Sequence, residues 1–137
     1  LIVPTTLAAT PSAAVDVLLV DDDESIRVVL TECLTRAGYT VSVAENGSAA
    51  LALLADHVFQ LVVTDIYMPQ TDGLELIMCY RAQSPGAPVL AISGGGQLGG
   101  PGDMLKPARF LGSQLTLAKP FELGEFMDAV RHLIGPR

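Results

Sequence analysis

Short runs of branched and apolar residues alternate with helical patterns five times along this chain, and that alternation limits the possible folds more than any other feature. The runs lie at 16–20, 40–44, 61–64, 89–93 and 114–118. Each is too short for a helix and nearly continuous in apolar side chains, as expected of a strand covered on both faces in a parallel sheet. Between and after them, residue spacing predicts helices over 24–37, 48–55, 74–83, 103–111 and 123–134. In the first of these, Ile26, Val29, Leu30, Cys33, Leu34 and Ala37 recur at intervals of three and four, and Gly38 supplies the stop. Asn46 or Gly47 stands near the start of the second, Pro85 follows the third, and Gly112 ends the fourth. Five strand–helix units fill residues 16–134. The expected fold class is therefore α/β, a five-stranded parallel sheet doubly wound as (βα)5.

Composition agrees with a single domain and narrows its partners. A chain of 137 residues that is 50% hydrophobic has enough apolar surface for one core. Its formal net charge of -7, with only 8 Lys and Arg scattered along it, argues against binding nucleic acid or an anionic membrane, which needs clustered cations. No apolar run reaches the ~18 residues of a membrane span. Residues 1–15 are expected to form a flexible arm or linker ahead of a domain at 16–137. The opening "LIVPTTLAATPSAA" lacks a basic start and is broken by Pro4 and Pro11, so a secretory leader is not expected. Cys33 and Cys79 fall on predicted apolar helix faces without metal-ligand or disulfide spacing. They read as reduced core residues, and the expected location is the cytoplasm.

In an open parallel sheet, ligands bind at the carboxyl ends of the strands. The first strand ends in Asp21, Asp22 and Asp23, the third in Asp65, the fourth in Ser93 followed by Gly94, and the fifth in Lys119 and Pro120. Adjacent aspartates repel one another, so a sequence that keeps them exposes them to water or gives them a cation. Carboxylates together with backbone carbonyls and water make the all-oxygen shell that suits Mg²⁺. Asp65, opposite the cluster, has the chemistry of a nucleophile toward a phosphoryl group, with Lys119 and Ser93 able to neutralise or donate to its oxygens. Asp23 reads mainly as the N-cap of the first helix.

The blocks "VLLVDDDESIR", "LVVTDIYMPQTDGLEL", "VLAIS" and "LAKPFEL" resemble, in order and separation, the four signature blocks of response regulator receiver domains, the flavodoxin-like phosphoacceptor modules of two-component signalling. The likeness covers essentially residues 16–134 and implies strand order 2-1-3-4-5. It implies Asp65 as phosphoacceptor, Asp22 as direct metal ligand and Asp21 as the acidic residue holding a metal-bound water. The backbone carbonyl of Tyr67 would be a further ligand to Mg²⁺. Ser93 matches the hydroxyl residue that turns toward the phosphoryl group, Gly94 the small residue that leaves access, and Lys119 the site lysine, with a cis peptide at Lys119-Pro120. Met68, Pro69, Asp72 and Gly73 match the turn after the phosphorylation site. The implied partner is a sensor histidine kinase or histidine phosphotransfer protein in a phosphorelay, with an output domain or target protein downstream. The implied response is a change at the surface of the fourth helix, fifth strand and fifth helix. The chain departs from the family at Thr116, where receivers usually carry Tyr or Phe; Phe110 is a candidate substitute.

Three other readings compete. "GGGQLG" after the fourth strand fits a dinucleotide-binding fingerprint, but Lys119 stands where that motif needs an acidic residue. "DDDES" also reads as the DxDxS of haloacid-dehalogenase-like phosphatases, with Asp21 as nucleophile; the final acidic pair and a cap domain are missing from the sequence, and Asp65 would have no task. A degenerate receiver acting only as a binding module is the third. The expected protein is thus not an enzyme beyond catalysing its own phosphorylation and dephosphorylation.

Overall fold

The computed structural model describes residues 14–65, 73–93 and 115–137. Within them the chain forms β1 (Ala14–Val20), α1 (Glu24–Arg36), β2 (Val41–Ala44), α2 (Gly47–Asp56), β3 (Val58–Asp65), α3 (Gly73–Gln83), β4 (Val89–Ser93), β5 (Leu115–Ala118) and a C-terminal helix, Leu123–Ile134. All strand pairs are parallel, in the order β2-β1-β3-β4-β5. The predicted fold class and strand order hold. Strand β3 is longer than predicted because Val58, Phe59 and Gln60 extend it toward β1, where Ala14 pairs with Val58 and Val15 with Phe59. The expected helix at 103–111, with Phe110, and the glycine-rich "GGGQLG" lie outside the described residues, as do residues 1–13 of the arm expected at 1–15, whereas Ala14 and Val15 of that arm begin β1.

The pleat divides each apolar run between two cores. Leu18, Val20, Val62, Val89 and Ala91 face one core, filled from α2 and α3 by Ala50, Leu54, Leu76, Ile77 and Tyr80. Val17, Leu19, Leu61, Val63, Leu90 and Ile92 face the other, filled by Leu30 and Leu34 of α1 and by Phe126, Ala129 and Val130 of the C-terminal helix. Both faces are covered, which is why the strands read as continuous rather than alternating apolar runs. Tyr80 is fully buried, yet its hydroxyl donates to the Phe59 carbonyl at 3.0 Å. Burial pushes its pKa up to about 12, outweighing the nearby Arg81 charge.

Helix ends follow their local chemistry. Asp23 caps α1, its carboxylate accepting from the Ser25 and Ile26 amides, and Asn46 caps α2 through the Ala49 amide. Gly38, at φ +98, takes the left-handed conformation that ends α1. Two helix-face assignments need correction. Val29 is 44% exposed, because the burying arc of α1 is centred on Leu30 and Leu34, with Ile26, Cys33 and Ala37 only half-buried at its margin. Cys79 is exposed, since Leu76, Ile77 and Tyr80 define the inner face of α3 and leave Cys79 outside it.

At the amino-terminal edge of the sheet a polar clasp ties distant segments together. Arg137 contacts both Asp16 carboxylate oxygens, at 3.0 and 3.3 Å, and donates to Gln60 at 2.6 Å. Its guanidinium lies 5.4 Å over the Tyr39 ring, and the Tyr39 hydroxyl donates to the Gly135 carbonyl at 2.7 Å. Asp16 also accepts from the Thr40 amide. The Arg137 hydrogen bond, aided by Thr40 and opposed by burial, holds the Asp16 carboxyl below its ordinary value. A depressed native pKa adds stability above the unfolded value of about 3.9, and that contribution disappears as pH falls through the native value. Asp16→Asn is therefore expected to lose roughly 1–2 kcal/mol at pH 7, measured by urea unfolding, and its gap to wild type should narrow progressively as pH falls below about 3.9.

Candidate functional site

Register brings the predicted strand-end residues level with one another. Val20 pairs with Thr64 across β1 and β3, so Asp21 and Asp65, next along each strand, stand side by side. Asp65 pairs with Ile92, Ile92 with Leu117, and Ser93 with Ala118, which places Lys119 just past the same edge. The pleat then selects the side. Asp21 continues the parity of Val17 and Leu19, Asp65 that of Leu61 and Val63, and Lys119 that of Leu115 and Leu117, all on the face shared by α1 and the C-terminal helix. Residues as far apart in sequence as Asp21 and Lys119 meet because three strands end together.

Asp21 and Asp65 are buried, at 1% and 4% exposure, while Asp22 is exposed. Lys119 Nζ lies 2.9 Å from Asp21 Oδ2 and 3.2 Å from Asp65 Oδ2, so one ammonium serves two buried carboxylates. Burial alone would pull the lysine pKa down, but the close carboxylates of Asp21 and Asp65 override it and hold the pKa above the ordinary value. Asp21 Oδ1 accepts from the Asp23 amide at 2.9 Å, tightening the turn into α1. The Lys119-Pro120 peptide is cis, as the resemblance implies.

Asp21, Asp22 and Asp65 each present a carboxylate oxygen, all within 4.8 Å of one another. Oxygens on opposite sides of an octahedral Mg²⁺ stand about 4.2 Å apart at bond lengths near 2.1 Å, so the spread is close to that of one hard cation's shell. The donor set is all oxygen, and Asp21 Oδ2, although ion-paired with the ammonium, is buried without an aligned hydrogen-bond donor among the described residues. Both observations fit a divalent cation with retained waters. Among the described residues, three carboxylates outnumber the Lys119 ammonium at this edge.

Ser93 is the last residue of β4, and Thr116 is half-buried in β5 beside Ala91. Tyr67, Met68, Pro69, Asp72 and Gly94 lie outside the described residues; Gly73 begins α3. The sequence reading missed Arg27. Its Nη1 donates to the Asp21 backbone carbonyl at 2.8 Å. A cation this close to the positive end of a helix runs against the dipole preference for acids, and that local misfit was the available signal.

Comparison with known proteins places this geometry in a wider set. The family described as the response regulator receiver domain matches residues 17–131. The chain is 36% identical over 123 residues to the response regulator protein FleR of Pseudomonas aeruginosa, covering 89% of this chain and 25% of FleR. It is 32% identical over 115 residues to sporulation initiation phosphotransferase F of Bacillus subtilis, covering 84% of this chain and 90% of that protein. The crystal structure of the receiver domain of NtrX from Brucella abortus superposes with a TM-score of 0.78 at 29% identity, covering 87% of this chain and 98% of that one. Thus the chain spans about a quarter of some relatives and nearly all of others.

The unbalanced pocket charge has a consequence for stability. Coulomb repulsion among carboxylates at this spacing, screened by solvent at exposed Asp22, amounts to roughly 1 kcal/mol. Asp22→Asn should therefore melt about 4 °C above wild type in metal-free buffer. If Asp22 is the metal ligand that the resemblance implies, Mg²⁺ at ten times the wild-type dissociation constant should add about 1.4 kcal/mol to wild type and not to the variant, reversing the order of the melting temperatures.

Proposed function

Since the chain belongs to the response regulator receiver family and is a phosphoacceptor signalling domain, we propose that Asp65 accepts the phosphoryl group. The observation that carries this assignment is the convergence of Asp21, Asp22, Asp65 and Lys119 at one sheet edge, with Asp65 held 3.2 Å from the lysine. An Asp65 carboxylate oxygen attacks phosphorus in line, the P–O bond forms as the P–N bond to a donor imidazole breaks, and the imidazole leaves with a proton. Lys119 is within reach of the oxygens on which negative charge spreads, and the Ser93 hydroxyl is the proposed neutral donor. A Mg²⁺ ion held by Asp21, Asp22, Asp65 and the Tyr67 carbonyl would supply the remaining charge neutralisation. Asp21 has both carboxylate oxygens engaged, Oδ1 by the Asp23 amide at 2.9 Å and Oδ2 by Lys119 at 2.9 Å, which suits a supporting role better than the nucleophile role of the phosphatase alternative. The domain's only catalysis would then be its own phosphorylation and dephosphorylation.

The proposed donor is a sensor histidine kinase or histidine phosphotransfer protein. Beside Lys119 an apolar groove runs between α1 and the segment after β5, lined by Ser25, Ile26, Val29, Leu30 and Phe121. Val29 and Leu123 remain 44% and 43% exposed at its rim, which suits an apolar helix carrying the donor histidine. The site reads as cytoplasmic; among the described residues no helix is long and apolar enough to cross a membrane. Any output domain or target protein would act through the face that includes β5 and the C-terminal helix.

Trapping the acyl phosphate tests the central assignment. After incubation with Mg²⁺ and a small-molecule phosphodonor, reduction and peptide mass mapping should place one label on Asp65. Asp65→Asn should carry none, Lys119→Ala should label at least tenfold more slowly, and excess chelator should block uptake. Label confined to Asp21 would instead support the phosphatase reading.

Transmission of the signal is separable from uptake. Ser93→Ala should still take phosphate but show smaller phosphorylation-induced changes in amide exchange over β5 and the C-terminal helix. Thr116, in place of the usual aromatic ring, is expected to keep even the wild-type change small. Identical exchange maps for the two proteins would remove Ser93 from the switch.

A further inference from the structure

Asp22 is the only exposed member of the carboxylate trio, and its backbone is held from both sides. On its carboxyl side, the Asp23 amide donates to Asp21 Oδ1 at 2.9 Å, while the Asp23 side chain is engaged in capping α1. On its amino side, Arg27 Nη1 donates to the Asp21 carbonyl at 2.8 Å. The peptide joining Asp21 to Asp22 is planar, so fixing that carbonyl also fixes the Asp22 amide and Cα. A charge-assisted hydrogen bond is about twice as strong as a neutral one. Arg27 is half-buried and anchored one turn into α1, its own amide bonded to the Asp23 carbonyl at 3.0 Å. The helix that Asp23 starts thus reaches back to the peptide before Asp22.

We propose that Arg27 is a positioning residue for the cation site: through the Asp21 carbonyl it sets the direction in which the Asp22 carboxylate is offered to a divalent cation. The inference rests on the phosphoacceptor reading of the acidic pocket, and it assigns Arg27 no contact with the phosphoryl group. Its expected sign differs from that of simple electrostatics. As a positive charge beside the pocket, Arg27 repels a cation, so Coulomb's law alone has Mg²⁺ bind more tightly when the charge is removed. A positioning role requires the opposite, because a carboxylate free to turn pays ordering entropy when it binds.

Mg²⁺ titration of the full chain, followed by the NMR amide shifts of Asp22 and Asp23, separates the two. Arg27→Met retains the apolar stem without donor or charge and should bind Mg²⁺ three- to tenfold more weakly than wild type. Arg27→Lys, which keeps one donor and the charge, should recover most of the loss. Phosphoryl uptake at saturating Mg²⁺ should stay within about twofold for both, placing the defect in cation affinity rather than in the transfer step. Tighter or unchanged Mg²⁺ binding by Arg27→Met overturns the proposal. Should that variant fail to fold, Arg27→Gln decides: its neutral amide reaches less far, and affinity equal to or above wild type overturns the proposal, while weaker affinity supports it. Wild type and Asp22→Ala serve as references. A wild type that binds no Mg²⁺ overturns the reading of the pocket and this inference with it, whereas Mg²⁺ binding lost in Asp22→Ala but unchanged in Arg27→Met overturns this inference alone.

Discussion

One ammonium shared between two buried carboxylates sets the terms for the functional edge of this domain. Lys119 lies 2.9 Å from Asp21 and 3.2 Å from Asp65, and without it both aspartates would be charged in a poorly solvated place. Breaking a buried pair by removing one partner commonly costs about 3–5 kcal/mol. Among the described residues three aspartates surround that one lysine, and under the proposed function a cation, and after it a phosphoryl group, would answer this crowding of acid. Charge balance at the site therefore depends on what binds there.

Sheet geometry makes that arrangement possible. Parallel pairing ends β1, β3 and β5 on one edge, and the pleat assigns Asp21, Asp65 and Lys119 to one face. A slip of one residue in β3 would exchange Asp65 with Thr64, putting an uncharged hydroxyl where the carboxylate stands and a carboxylate into the core packed by α2 and α3. The two apolar cores thus fix register and, with it, the distances that the chemistry needs. Stability of the cores and geometry of the site are one constraint.

Most of the fold and the central residues were legible in the sequence for the same reason. Buried parallel strands leave continuous apolar runs, and ligand groups must follow those runs at the carboxyl end, so Asp21, Asp65 and Lys119 could be found by counting from each run. Helix caps at Asp23 and Asn46 were equally local. Legibility failed where the partner was set by three-dimensional packing. Val29 and Cys79 belong to apolar stretches, but small rotations of α1 and α3 put them outside the buried arc. The bond from Arg27 to the Asp21 carbonyl depends on how α1 leaves the strand, which spacing alone does not specify. The clasp of Arg137 on Asp16 and Gln60 links residues separated by up to 121 positions, with no motif to announce it.

That clasp also shows how the two edges of the sheet divide their work. At the amino-terminal edge, Asp16, Arg137, Gln60, Thr40 and Tyr39 form a network in which the Asp16 charge is paired and its oxygens accept hydrogen bonds. At the carboxyl edge, among the described residues, three carboxylates face one ammonium and Asp21 Oδ2 lacks an aligned donor. Bonds at the first edge tie β1 and β3 to the residues that follow the C-terminal helix, and the second edge carries closely spaced carboxylates on those same two strands. Strand pairs anchored at one end can carry electrostatic stress at the other without slipping register, because β1 and β3 pair continuously from Val17 to Val20. Among the described residues the crowded charge is thereby confined to side chains at the carboxyl edge, where, under the proposed function, a cation and a phosphoryl group would relieve it. A sheet held in register in this way would keep its geometry, so a change of charge at that edge would be expressed in the elements packed around it rather than absorbed within the strands.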